Sequence, residues 1–142
     1  MPPTLYADMG GALMASEAVL QALLGRAQTG EGQLLEVALA DAAAWLALPR
    51  HWGLTTPDGD VGGAHAGYRI YPCADGRVAV AALEPHFAAR LCAAAGLPAQ
   101  GDAATLRAPA THAAVAAFVA TQTRAQLDAL AQAQDIPLHT LP

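Results

Sequence analysis

Lysine is absent from the chain, and its seven basic residues are all arginines, scattered from Arg26 to Arg124. A phosphate backbone is held by clustered cations, so nucleic acid is not expected as a partner. The formal net charge of −5 argues equally against an anionic membrane surface. Charge of either sign is scarce: charged residues make up 13% of the 142 positions against 54% hydrophobic, and the mean hydropathy is +0.30. A small soluble domain has a large surface to cover with polar groups. So few charges imply that part of this surface is buried against something else. Such a composition also excludes a disordered chain.

A long hydrophobic run is missing too. The most apolar stretch, Met9 to Leu24, is interrupted by Glu17 and Gln21, which leaves it too short and too polar to span a bilayer. The opening MPPTLYADMGG has no positively charged leader and is broken by Pro2 and Pro3, so the cytoplasm is the expected compartment. Only two cysteines occur, Cys73 and Cys92. Their separation is not that of a metal-binding pair, and both are expected to be small core hydrophobes. No two histidines have the spacing of a metal pair on one helix face, so no metal is expected. Phosphate-cradling Gly-x-x-x-x-Gly-Lys, the dinucleotide fingerprint Gly-x-Gly-x-x-Gly and the nucleophile elbow Gly-x-Ser-x-Gly are all absent.

What is present reads as α+β. Leu13, Val19, Leu20, Leu23 and Leu24 recur at helical spacing after Asp8. This predicts a helix of about four turns with Asp8 at or just before its N-cap and Gly25 and Gly30 at its end. TGEGQ is a turn. QLLEVALAD is expected as a short strand leading into a second helix, ADAAAWLALPRHWG, stopped by Pro49 and Gly53. Four glycines between Gly59 and Gly67 mark a loop. YRIYPC and GRVAVAAL, joined at ADG, form a hairpin. EPHFAARLCAAAGLP is a helix with Pro85 in its first turn and Gly96–Pro98 as its stop. A loop to Pro109, two more helices (THAAVAAFVATQ and TRAQLDALAQAQ) and an edge strand in DIPLHTLP complete the chain. The organisation expected is a helical segment and linker helix over 1–57, a glycine-rich loop over 58–65, and a small domain over 66–142 in which a hairpin is packed by helices.

The order of these pieces resembles a known family. ADMGG opening a helix, the TGEGQ turn, GGAHAGYRIYPCADGRVAVAALEPHF and the Gly-Leu-Pro stop together resemble the class III CoA-transferases. That family includes formyl-CoA transferase, alpha-methylacyl-CoA racemase and the L-carnitine dehydratase/bile-acid-inducible proteins. The match runs from Tyr6 to Pro98 and fades beyond, where members often carry Trp at the position of Leu127. The family's coenzyme-binding α/β region has no counterpart before Asp8, so the chain is expected to correspond to the C-terminal part of such a protein.

The resemblance implies that Asp8 is the essential aspartate. In the transferases it accepts CoA as an aspartyl thioester; in the racemases it moves the α-proton on one face of the substrate. Covalent catalysis by a carboxylate divides one hard exchange into easier steps. From the residues alone, Asp8 reads first as a helix cap. Gly10 and Gly11 would let a bulky thioester approach the backbone. Gly62 and Gly63 match the glycine-rich loop that covers the intermediate, the alternative being a flexible connector. Tyr68 aligns with a tyrosine near the racemase active site, the alternative being a core aromatic. Glu84 matches the glutamate that supports the racemase histidine, the alternative being a first-turn acid that favours the helix dipole. None of the five histidines stands where that racemase histidine would be. Only His65, in the glycine loop, is a candidate, and the others read as surface or helix-face residues.

The implied substrates are acyl-CoA, with coenzyme A as the group carried, and a carboxylic acid. The implied partner is a second copy or a second chain that supplies the CoA-binding half. Transfer is the first expectation, because it needs only a carboxylate and a covering loop. The alternatives are an inactive remnant or interaction module, and a fragment of a 2-methylacyl-CoA racemase.

Overall fold

The structure, a computed structural model, describes residues 5–141, so Pro2 and Pro3 lie outside the described residues. It is α+β, with a three-stranded antiparallel sheet among helices. The chain divides into two units, Met1–Trp52 and Gly53–Pro142.

The first unit is helical. Helix α1 spans Tyr6–Thr29, 24 residues, more than six turns and longer than the four expected. It starts two residues before Asp8, which is therefore its third residue and not its cap. The N-cap position is Leu5, whose side chain cannot accept a hydrogen bond. Alanine and leucine throughout favour continuation, so the helix runs through Gly10, Gly11 and Gly25. It ends at Gly30, which has φ 78° and donates its N–H to the Arg26 carbonyl at 2.8 Å. Residues 31–38 are irregular, so the expected strand is not formed there. A strand needs a hydrogen-bonded neighbour, and the described residues of this unit supply only helices. Helix α2 is Leu39–Leu46 and α3 is Leu48–His51, a break in what the sequence reads as one helix. Pro49 has no N–H to offer the Trp45 carbonyl, so α2 stops and a new turn begins around the proline. Gly53, at φ 78°, follows the end of α3.

In the second unit, one 3-10 turn (Asp60–Gly62) precedes strand β1, Tyr68–Cys73. A two-residue turn leads to β2, Gly76–Ala81, in the register Cys73↔Gly76 and Tyr68↔Ala81. Helix α4 (Pro85–Ala94) has proline in its first turn, as expected. Helix α5 (Ala103–Arg107) falls where a loop was expected. Asp102 caps it by accepting the Thr105 amide at 2.9 Å and its hydroxyl at 2.7 Å. Those bonds from Thr105 hold the Asp102 carboxyl below its ordinary range. Helices α6 (Pro109–Ala120) and α7 (Arg124–Gln134) follow, the latter opened by a reciprocal cap between Thr123 and Gln126. Strand β3, Leu138–Leu141, pairs antiparallel with β2, so the order is β1-β2-β3 with β3 at an edge.

One face of the sheet carries Tyr71, Val78 and Val80 into a core with Leu91, Val115, Val119, Leu127 and Ile136. Leu127, at the point where the family pattern fades, is fully buried. A smaller cluster joins Ala66, Ala88, Cys92 and Leu106. Cys92 is thus a core thiol, while Cys73 is half-buried against the larger core. The hairpin turn is tied to the start of α7: Asp75 accepts the Arg124 amide at 2.7 Å, and the Ala74 amide donates to the Gln122 carbonyl at 2.9 Å.

Candidate active site

Asp8 projects from the first turn of α1 and is exposed. The first helical hydrogen bond runs from the Met9 amide to the Leu5 carbonyl, 2.9 Å. The amides of Tyr6, Ala7 and Asp8 precede it and have no acceptor within the helix. A carboxylate here lies at the positive end of the helix dipole. Gly10 and Gly11, one turn on, are buried where α2 crosses. A side chain on Gly10 would come 2.8 Å from the Leu46 Cδ1 methyl, and one on Gly11 would overlap a Leu39 methyl. The space these glycines leave is therefore taken by α2, whose close approach offsets the cost of glycine within a helix.

In the second unit the glycine loop is firmly held. Gly62 packs against the Thr56 carbonyl, where any side chain would collide with backbone. Gly63 has φ 122°, a conformation that glycine alone adopts without strain, and open space lies beside it. On one side, Asp60 Oδ1 accepts both Nε and Nη2 of Arg107 at 2.8 Å. On the other, the Ala66 amide donates to the Leu106 carbonyl at 2.8 Å, and the Tyr71 hydroxyl donates to the Ala66 carbonyl at 2.7 Å. The Ala64 carbonyl meets His112 Nε2 at 2.9 Å, while Arg69 Nη1 lies 3.2 Å from His112 Nδ1.

Gly62 and Gly63 come together with Tyr68 along an open groove of about 550 Å³. Its floor is the outer face of the hairpin, with Ile70, Ala79 and Ala81, and its lining is mostly apolar, with Arg69 as the charged residue on it. Tyr68 is 38% exposed and Ile70 59% exposed. The aromatic in the core is Tyr71, not Tyr68. Glu84 is not among the residues lining the groove. It occupies the N-cap position of α4, exposed, with no side-chain cap hydrogen bond.

His65 is buried at 3% exposure. Its Nδ1 accepts the Gly67 amide at 3.1 Å. Burial, opposed by the Asp60 carboxylate and aided by Arg107 and the neighbouring His112, lowers its pKa. His65 is thus a satisfied core imidazole. His51, His86 and His139 are exposed, while His112, on a face of α6, is half-buried and bonded on both nitrogens. Among the described residues no three His, Cys, Asp or Glu side chains converge as a metal site. No helix among them is long and apolar enough to cross a membrane. The ties from Arg107 and His112 escaped sequence reasoning, because partners 43 to 48 residues apart leave no local signal.

Crystal structures of the hypothetical protein Rv3272 from Mycobacterium tuberculosis share this fold. Its orthorhombic form superposes with a TM-score of 0.76 at 21% identity, over 99% of this chain. A further form gives 0.74 over 96%, and an aspartate-to-alanine mutant gives 0.79 over 100%. The chain spans 40% of the length of those proteins. The family model described as CoA-transferase family III matches residues 1–141. With that match over nearly every residue, the chain belongs to CoA-transferase family III.

Proposed function

We propose that the chain carries the nucleophile of a CoA-transferase that moves CoA between an acyl-CoA and a carboxylic acid through an aspartyl-CoA thioester at Asp8. The observation that carries this reading is the exposed Asp8 carboxylate in the unpaired-amide turn of a family III chain. Residues outside these 142 would supply coenzyme binding, in keeping with the 40% of Rv3272 that the chain spans.

The steps balance without an external reagent. The Asp8 carboxylate attacks the thioester carbonyl of the donor, expelling CoA thiolate and leaving a mixed anhydride. The thiolate attacks the aspartyl carbonyl, forming Asp8–CoA thioester and releasing the donor acid. The acceptor carboxylate attacks that thioester, expels the thiolate again and forms a second anhydride. The thiolate then takes the acceptor acyl group and restores the Asp8 carboxylate. By resemblance to the family, Gly62 and Gly63 belong to the loop that shields the intermediate, and the groove beside them, with Tyr68 and Ile70, offers an acyl group an apolar surface. Holding the reactants in line supplies most of the acceleration in such exchanges.

The test is made in the complete enzyme. Acyl-CoA supplied without acceptor should leave a CoA adduct on the peptide containing Asp8, seen by mass spectrometry. Asp8→Asn should abolish the adduct and transfer while leaving the fold intact, since an amide is a poor nucleophile and Asp8 caps nothing. Full activity in Asp8→Asn would remove the nucleophile assignment. Glu84→Gln should lower transfer only mildly; a severe loss, with α-proton exchange intact in the parent, would favour racemisation.

A further inference from the structure

We infer that His112 is a positioning residue that fixes the glycine turn Gly62–Gly63 through a neutral imidazole whose tautomer is selected by Arg69. The inference rests on the proposed role of that turn as the cover of the reacting carboxylate.

A turn of two glycines has no side chains with which to hold itself, and ordering each backbone residue costs about 1–2 kcal/mol. Within the loop the Gly62 and Ala64 amides donate to the Gly59 carbonyl at 3.0 and 3.2 Å, and the rest of the hold comes from neighbours. Asp60 is held from before by Arg107. The residue directly after the pair is Ala64, whose carbonyl lies 2.9 Å from His112 Nε2. A carbonyl only accepts, so Nε2 carries a proton. The opposite ring nitrogen, Nδ1, lies 3.2 Å from Arg69 Nη1. A guanidinium only donates, so Nδ1 carries none. One state satisfies both contacts, the neutral ring protonated at Nε2. The other tautomer loses both, and an imidazolium would point an N–H at a cation.

Among the described residues Arg69 forms no ion pair with a carboxylate. The other ionisable groups close by are His65, and through it Asp60 and Arg107. Arg69 lies on β1 between Tyr68 and Ile70, so this one imidazole links the turn, helix α6 and the strand that floors the groove.

The tautomer is measurable in the unaltered chain by nitrogen-15 and carbon-13 shifts of labelled histidine at pH 7.5. The expected result is His112 neutral with its proton on Nε2; an Nδ1–H ring or an imidazolium overturns the inference. Hydrogen exchange follows. His112→Phe keeps a ring but has no donor, and amides of residues 59–64 should exchange at least tenfold faster while those of the β1–β2 ladder do not change. His112→Gln restores a donor and should recover part of the protection. Equal protection in His112→Phe and the parent would show packing alone and overturn it. In the complete enzyme, His112→Phe should raise the share of acyl-CoA lost to hydrolysis relative to transfer, and His112→Gln less so. A loosened turn with an unchanged hydrolysis share would keep the positioning role and remove the covering role from the proposed function.

Discussion

His65 shows how a histidine in a glycine-rich loop is used for structure. Its Nδ1 is occupied by the Gly67 amide and its ring is buried, so the folded chain resists a proton that the unfolded chain accepts near 6.5. Its contribution to stability is full above that value. It falls as the pH drops below 6.5, until the folded form also protonates. Urea denaturation at pH 7.5 and 5.5 should show this loss. His65→Asn, whose Oδ1 can accept the same amide, should flatten the pH dependence over that interval; an unchanged slope would assign it to other groups. Burial of this kind was not legible in the sequence, where His65 read as a candidate for chemistry. Tyr68 and Tyr71 show the same limit. YRIYPC offers apolar residues on both faces, so alternation alone does not say which face turns inward. The structure turns Tyr71 in and leaves Tyr68 and Ile70 on the groove.

Elements that carry their own stop and start signals were readable: Pro85 opening α4, Gly30 closing α1, Thr123 with Gln126 opening α7. Those set by partners far along the chain were less so. Strand β3 exists because Leu138 pairs with Val80, and residues 33–38 have strand-like composition but no such pairing. Helix α5 did have a local signal in Asp102 and Thr105, a cap three residues apart, too brief to stand out. The glycines divide in the same way. At Gly11 the obstacle to a side chain is the mobile tip of Leu39, itself half exposed, whereas at Gly62 it is the rigid Thr56 carbonyl. Gly11→Ala should therefore hold or raise stability by up to about 1 kcal/mol through helix propensity. Gly62→Ala should lower it by roughly 1–3 kcal/mol, as forced overpacking does. Denaturant midpoints compare the two, and the reverse order would sink the argument. A Gly11→Ala enzyme that stays folded but loses transfer would show that the thioester also needs that space.

Across the whole molecule apolar surface is unevenly spread. Among the described residues before Gly53 only Gly10, Gly11 and Ala42 are buried. Met9, Leu13, Leu20, Leu24 and Trp45 are all more than half exposed. Two helices and a short third cannot enclose a core, and a face this apolar has the character of an obligate interface cut open. The scarcity of charge in the composition had signalled an uncovered surface; its location at α1 had not been legible, because that helix is apolar on several sides and points in no one direction. The isolated chain is expected to self-associate. Sedimentation across a wide concentration range should show mass rising with concentration, and a constant monomer would refute this.

The place of β2 at the centre of the sheet has a consequence for biosynthesis. One neighbour, β1, precedes it and is available at once through a two-residue turn. The other, β3, is translated about sixty residues later, and at about 5–20 residues per second the wait is on the order of several seconds. Throughout that interval Val78–Val80 present an unpaired apolar edge, while α1 has already left the ribosome with its leucines bare. A nascent chain of this design is expected to need ribosome-associated chaperones in its first seconds, and starving a cell of them should reduce its soluble yield before any folded-state property changes.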